Sequence, residues 1–243
     1  MTRFFVAAEE LCGDTIFLRG ENAAHAKVLR LKQGESVLVC DGIGTECVCK
    51  VNEVSSGKVG LSVIDRRCSD SEASVKVSVY LSFPKADKLE HVIQKATELG
   101  ANEIVAFPSA RCISRPDDKS LSKKLERWQK IAFSAAEQSG RGAVPKVVLL
   151  KSYQDALERA KTADLSILFY ENEAATTLHM ALESGQYSSV SQISGPEGGF
   201  EESEIAQAKE QGIMICTLGK RILRCETAPL CALSAVMFAA GEF

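Results

Sequence analysis

The residues best suited to chemistry gather in two segments late in the chain. Residues 194–200 read SGPEGGF and residues 218–228 read LGKRILRCETA. Gly195, Gly198 and Gly199 carry no Cβ, so backbone in this loop can approach a flat ligand closely. Their spacing is neither GxGxxG nor GxxxxGK[ST], which excludes the phosphate-cradling fingerprints. Glu197, Glu201, Glu202 and Glu204 crowd the loop and the start of the helix expected after it. A diphosphate would use that helix dipole, and carboxylates already there repel it. A neutral or cationic ligand with a ribose suits the loop better, and S-adenosylmethionine, a sulfonium without phosphates, answers that description. In the second segment Arg221, Arg224 and Glu226 surround Ile222 and Leu223 and precede an uncharged stretch, residues 228–240. Arginines beside so apolar an element are costly unless paired or used. A third unusual stretch is LFYE at 168–171, with Phe169, Tyr170 and Glu171.

These segments need a frame that brings them together, and the pattern from residue 75 onward provides one. Strands are expected at 75–83, 103–107, 146–150, 165–170, 190–194 and 213–218. Helices are expected at 85–99, 121–138, 153–160, 177–183, 201–211 and 228–240. In the first helix Leu89, Val92, Ile93, Ala96 and Leu99 fall on one stripe and Gly100 stands at the C′ stop. Such alternation implies an α/β fold, a mostly parallel sheet covered by helices on both faces. Ligands of open parallel sheets bind outside the carboxyl ends of the strands, where all three segments fall. The uncharged helix 228–240 is expected to be buried over most of its circumference, in the core or against a second subunit. Helix 121–138 presents Lys123, Arg127 and Lys130 opposite Leu121, Leu125, Trp128 and Ala135, a cationic stripe that phosphates could meet.

The first seventy residues obey a different grammar. Short alternating strands are expected at 36–41, 45–54 and 59–63, separated by Asp41-Gly42 and Ser56-Gly57 turns. A helix at 22–29 carries His25 and Lys27 and leads to Arg30. The reading is a small β-barrel over 1–70, a polar linker at 66–72, and an α/β domain over 73–243.

Composition narrows the function classes. With 45% hydrophobic and 25% charged residues among 243, the chain can bury a core and is not disordered. No apolar run reaches the roughly 18 residues of a membrane span, and the start is too short in apolar residues for a secretory signal. Nine cysteines without a CxxC pair argue against a disulfide scaffold or a zinc site and for reduced thiols in a cytoplasmic protein. His25, His91 and His179 have no metal-ligand spacing, so no metal is expected. Net charge is −2 over residues 1–72, +5 over 73–150 and −6 over 151–243, so a polyanion would be met by the middle third.

Taken together, the chain resembles the bacterial 16S ribosomal RNA uracil-N3 methyltransferases (RsmE type) of the SPOUT superfamily. The matching segments are SGPEGGF, LGKRILRCETA, AAEQSGR at 135–141 with Pro145, FPK at 83–85, KATELG at 95–100 and HAKVLRL at 25–31. They run in order over nearly the whole chain. Two departures stand out: Cys225 where the family usually has Thr, and SRPDDK at 114–119, less basic than usual. The resemblance implies a PUA-like N-terminal barrel and a C-terminal domain with a deep trefoil knot, a rare exception to unknotted topology. It also implies S-adenosylmethionine held bent in the knot, and a homodimer packed through the knots. Cofactor contacts are expected at Phe169, Tyr170, Glu171, Gly195, Pro196, Gly198, Leu218, Gly219, Arg221, Ile222 and Leu223. The implied substrate is a uridine of 16S ribosomal RNA, methylated at N3 within assembled 30S particles.

Uracil N3 keeps its proton at neutral pH and is a poor nucleophile. Glu197 and Glu226 are the bases of the motif set, weak at ordinary carboxylate values. Arg224, with Arg221 as the alternative, is therefore expected to donate to the developing charge on O2 and O4, a carboxylate relaying the proton. Arg3, Lys27, Arg30, Lys85, Gln138 and Arg141 are the candidates for holding RNA. N3 lies on the Watson–Crick edge, so the target must be unpaired or flipped out. Rival readings are a transfer RNA methylase of the same superfamily, a non-catalytic RNA-binding assembly factor, and a nicotinamide-dependent oxidoreductase, which the missing GxGxxG disfavours.

Overall fold

The computed structural model describes residues 1–55, 57–113, 118–183 and 186–243, and at 118–120 only the backbone. The SRPDDK segment lies outside the residues described with side chains. Two compact units emerge: Met1–Glu72 with Ala136–Val144, and Ala73–Ala135 with Pro145–Phe243.

The first unit holds β1 (Thr2–Phe5), a 3-10 turn (Ala8–Leu11), β2 (Thr15–Arg19), α1 (Gly20–Val28), β3 (Ser36–Cys40), β4 (Thr45–Ser55) and β5 (Lys58–Cys68). They form a five-stranded sheet in the order β1-β3-β4-β5-β2, parallel only between β1 and β3. The alternating residues point inward as their period requires: Val37, Val39, Cys47, Cys49, Val51, Val59 and Leu61 close around Phe4, Ile16 and Leu18. Register shifts at Val48/Cys49 and Val51/Glu53 bend the long β4–β5 ribbon. The linker expected at 66–72 is corrected here. β5 continues through Cys68, with Arg66, Arg67 and Cys68 paired to Cys47, Glu46 and Thr45. Its outer half is exposed on both faces, so no apolar alternation marks it as a strand.

Two carboxylates tie this unit together. Glu46 is fully buried, and it accepts from Arg3 Nη1 at 3.0 Å, Arg67 Nη2 at 2.9 Å and Ser69 Oγ at 3.2 Å. Glu72 accepts from the Gly142 and Ala143 N–H groups at 2.9 and 3.0 Å and from Arg141 Nη2 at 2.6 Å. Burial works to raise the Glu72 carboxyl, but the guanidinium and the two N–H groups outweigh it and hold it below its ordinary value. Gly142 is packed so closely that a Cβ would stand 2.3 Å from Ser69 Cβ. Gly142→Ala should therefore lower the unfolding free energy by about 1–3 kcal/mol, measured by denaturant titration of the full chain.

In the second unit the order is β6 (Lys76–Ser82), α2 (Lys88–Glu98), β7 (Glu103–Phe107), α3 (Asp118–Ser139, its end grouped with the first unit), β8 (Lys146–Leu149), α4 (Tyr153–Ala160), β9 (Leu165–Phe169), α5 (Leu178–Glu183), β10 (Ser189–Ser194), α6 (Glu202–Glu210), β11 (Met214–Cys216) and α7 (Ala228–Ala239). Every strand pair in its sheet, ordered β11-β9-β10-β6-β7-β8, is parallel. Strands covered on both faces read as near-continuous apolar runs. One face packs Tyr80, Leu168 and Ile193 against Leu157 of α4 and Ile205 of α6. The other packs Ile167 and Phe169 against Leu178 of α5 and Ala232 of α7.

Helix α7 meets this chain's own core on one side only. Pro229, Ala232, Leu233, Val236 and Met237 are buried, whereas Cys231 and Phe238 face outward, Phe238 at 72% exposure. Absence of charge signalled an apolar surface, but only one side of it meets this chain's own core. No helix of the described residues is long and apolar enough to cross a membrane.

Candidate functional site

Strands β9, β10 and β11 lie next to one another in the sheet, with Ile193 level with Leu168 and Cys216 level with Phe169. Parallel pairing sends all three chains out at the same edge, so the loops after them emerge side by side. They enclose a cleft of about 880 Å³. Its walls come from Phe169, Tyr170 and Glu171 at and after the end of β9, from 194–197 with Gly199 and Phe200 at and after the end of β10, and from 217–225 after β11.

The glycine loop is shaped by contacts that side chains would block. A Cβ on Gly195 would lie 3.2 Å from the Phe200 ring and 3.3 Å from the Gly199 backbone. Gly199 itself sits at φ +65°, and a Cβ there would come within 2.6 Å of Glu171 Oε1. The acidic helix start is internally satisfied: Glu204 and Glu201 form a capping box at α6. Buried Glu204 also takes the Ala110 N–H at 2.8 Å. Arg111, which sequence reasoning missed, donates to the Gly198 carbonyl at 3.0 Å. Ser194 Oγ is buried in the cleft wall with no hydrogen-bond partner among the described residues.

A second missed residue is Lys88. Its Nζ stands 2.9 Å from Glu197 Oε1 and 3.1 Å from Glu226 Oε2. Burial pushes the Glu197 carboxyl up, but the Lys88 ammonium and two backbone N–H groups prevail and hold it at about 2. Glu226 is likewise held below its ordinary value, against burial, by its own N–H, the Cys225 thiol and Lys88. Burial and the adjacent Glu226 raise the Cys225 thiol to about 12, which makes it an unreactive neutral donor, 3.2 Å from Glu226 Oε2. The cation beside both carboxylates is thus a lysine from α2, not one of the neighbouring arginines. No local signal in the sequence marks it, because its partners Glu197 and Glu226 lie more than a hundred positions away.

Two family models match the chain. Residues 71–237 match an RNA methyltransferase domain and residues 18–64 an RNA methyltransferase PUA domain. Ribosomal RNA small subunit methyltransferase E of Bacillus subtilis is 40% identical over 232 residues, 92% of this chain and 90% of that protein. The chain belongs to this family of RNA methyltransferases. The Mycobacterium tuberculosis protein of the same name is 31% identical over 96% of this chain and 90% of its own length. Ribosomal RNA small subunit methyltransferase E from Neisseria gonorrhoeae, crystallised with S-adenosylmethionine, superposes with a TM-score of 0.85 at 32% identity, covering 98% of this chain and 97% of that one.

Set within an RNA methyltransferase, the expected residues fall as follows. Phe169, Tyr170, Glu171, Gly195, Pro196, Leu218, Gly219, Arg221, Ile222 and Leu223 all line the cleft, as do Arg224 and Glu197. Gly198 does not; its carbonyl is taken by Arg111. Glu226 joins the site through Lys88. Among the residues expected to hold RNA, Lys27, Arg30, Lys85 and Gln138 are exposed. Two others lie in a different setting. Arg3 is largely buried against Glu46 and Cys40, and Arg141 is buried against Glu72, because each guanidinium neutralises a carboxylate that would otherwise be stranded inside the first unit. In the cationic stripe, Arg127 is already engaged by Glu90 at 2.6 Å.

Proposed function

We propose that this methyltransferase transfers a methyl group from S-adenosylmethionine to N3 of a uridine in 16S ribosomal RNA, within the assembled 30S subunit. One observation carries the reading: three strand-end loops, two of them the distinctive SGPEGGF and LGKRILRCETA, wall a single cleft in a chain whose relatives are named for small-subunit ribosomal RNA methylation. The residues present fit the cofactor. Gly195 and Gly199 let the loop fold tightly onto Phe200 and Glu171 and so shape the cleft wall, and the buried Ser194 hydroxyl in that wall has no partner among the described residues. Phe169, Gly195, Pro196, Leu218 and Leu223 would hold it, and its sulfonium would supply an electrophilic methyl group.

The chain's own part is to orient the base and stabilise charge. Arg224, at the lip of the cleft, donates to O2 or O4 of the uracil as N3 loses its proton. Glu197 and Glu226, kept ionised beside Lys88, are poor proton acceptors, so the arginine carries more of the step and a carboxylate passes the proton on. Alignment of N3 with the methyl group supplies further acceleration. The exposed Lys27, Arg30, Lys85 and Gln138 serve RNA through phosphates and shape. In this reading residues 1–70 are the RNA-binding domain and 73–243 the methyltransferase domain.

The trefoil knot and the homodimer belong to the same proposal. After β11 at the sheet edge the chain returns through 217–227 to pack α7 beneath β10 and β6, where Gln192 donates to the Pro229 carbonyl at 2.9 Å. Such a return path suits a threaded chain. The outward Phe238 of α7, 72% exposed, offers an apolar contact for a second copy.

Mass mapping of modified nucleotides in small-subunit ribosomal RNA and in transfer RNA, from cells with and without this protein, tests the reaction. Loss of one N3-methyluridine supports it; loss of a modified nucleotide in transfer RNA would support the related methylase instead. Purified 30S particles should be methylated far faster than free 16S RNA, because Phe, Tyr and Trp together make up only 6% of the chain and leave little aromatic surface for stacking bases. Equal rates on the two substrates would refute the assembled-particle requirement.

A further inference from the structure

The loops that carry Glu197 and Glu226 follow β10 and β11, and these strands are not neighbours: β9 runs between them. The hydrogen-bonded ladder therefore does not fix the distance between the two loops directly. Lys88 spans it. It opens α2, whose Leu89, Val92 and Ile93 are buried and fix the helix in place. The backbone just ahead is contorted, with Ala86 at φ 53°, a conformation that non-glycine residues avoid unless their surroundings impose it. This turn delivers two donors to one carboxylate: the Lys85 N–H reaches Glu197 Oε1 and Oε2 at 3.0 and 3.3 Å, and Lys88 Nζ reaches Oε1 at 2.9 Å. The same ammonium holds Glu226 Oε2 at 3.1 Å and approaches Cys225 Sγ at 3.6 Å. Without that cation, two carboxylates from separate loops would face each other and repel.

We propose that Lys88 is the positioning residue of this site: by joining Glu197 to Glu226 it sets the spacing of the glycine and arginine loops, and with it the width of the cofactor cleft and the placement of Arg224. This rests on the methyltransferase reading above. Lys88 does not act on the reacting atoms. Its effect passes through the two glutamates, so their charges, and not only its own, determine what its removal does.

The test is a mutant cycle of Lys88→Met and Glu226→Gln, with Lys88→Arg as the conservative variant, in the full chain. S-adenosylmethionine affinity is read by calorimetry, methylation of 30S particles in single turnover, and folding by thermal melting. Lys88→Met should weaken cofactor binding about tenfold, with a comparable loss of rate. Lys88→Arg should recover most of both. Adding Glu226→Gln to Lys88→Met should restore part of the lost cofactor affinity, since one of the opposed charges is gone, while the rate, in which Glu226 takes part, stays low; a side chain that merely stabilised α2 would show no such restoration of affinity. If Lys88→Met does not melt cooperatively, Lys88→Gln completes the cycle. Cofactor affinity and rate of Lys88→Met within twofold of the parent, or effects of the two substitutions on cofactor affinity that simply multiply, would overturn the inference. A parent chain that binds cofactor normally beside an unaffected Lys88→Met sinks this inference alone, whereas a parent that binds none sinks the functional reading with it.

Discussion

Arg224→Ala should slow single-turnover methylation by about 10²-fold at saturating S-adenosylmethionine, the usual cost of removing one preorganised donor to developing charge. The expectation comes from how differently the chain treats its arginines. Arg3, Arg67, Arg111, Arg127, Arg141 and Arg159 each contact a carboxylate. Arg224 is exposed at the cleft and, among the described residues, pairs with none. Its backbone is nonetheless fixed, because its carbonyl accepts from the Thr227 and Ala228 N–H groups at 2.8 and 2.9 Å where α7 begins. A held backbone with an uncommitted guanidinium is what a group meant for an incoming base requires. Cofactor affinity should change little, since the loss is confined to the transition state. Arg224→Lys should fall between, retaining charge without the planar fork. A near-normal rate for Arg224→Ala would remove it from the reaction and move attention to Arg221.

Much of this site was legible from spacing, and the parts that were not share a physical cause. The strands and helices of the second unit follow from period and punctuation, as with Leu89, Val92, Ile93 and Ala96 ahead of Gly100. The convergence of the three motifs follows from the rule that parallel strands release their loops at one edge. Strands β1 and β2 escaped because TRFF and TIFLR are too short for alternation to register, and the outer half of β5 because its exposed polar residues have no apolar period. Lys88 escaped for another reason. Its partners lie more than a hundred positions away in sequence, and only the fold shows that two loops flanking β9 need a bridge. Glu46 is the sharpest case. It alternates with the inward Cys47, so the strand period assigns it to the outer face, yet it is fully buried. No local signal marks a carboxylate one of whose cations comes from β1, two strands away in the sheet.

That carboxylate underlies the second large effect. Arg3→Ala should cost about 3–5 kcal/mol of stability in the first unit, the usual consequence of breaking a buried pair from one side. Removing the guanidinium leaves Glu46 with one remaining cation among the described residues, Arg67, whose side chain is 49% exposed, and opens space where Arg3 had been 10% exposed. The thiol of Cys40, which accepts from Arg3 Nη1 at 3.1 Å, loses its donor as well. An arginine whose task was to meet RNA would behave in the opposite way. Its loss would leave unfolding unchanged and make the dependence of RNA affinity on salt less steep by about one counterion, as a vanished phosphate contact does. Thermal melting and a salt titration of RNA binding, both on the full chain, separate the two. A lowered melting point with an unchanged salt slope is expected for Arg3→Ala, and the reverse pattern for Lys27→Ala or Arg30→Ala, which are exposed. An Arg3→Ala chain as stable as its parent, with a shallower salt slope, would return Arg3 to the RNA-facing surface and show that Arg67 and Ser69 suffice to hold Glu46.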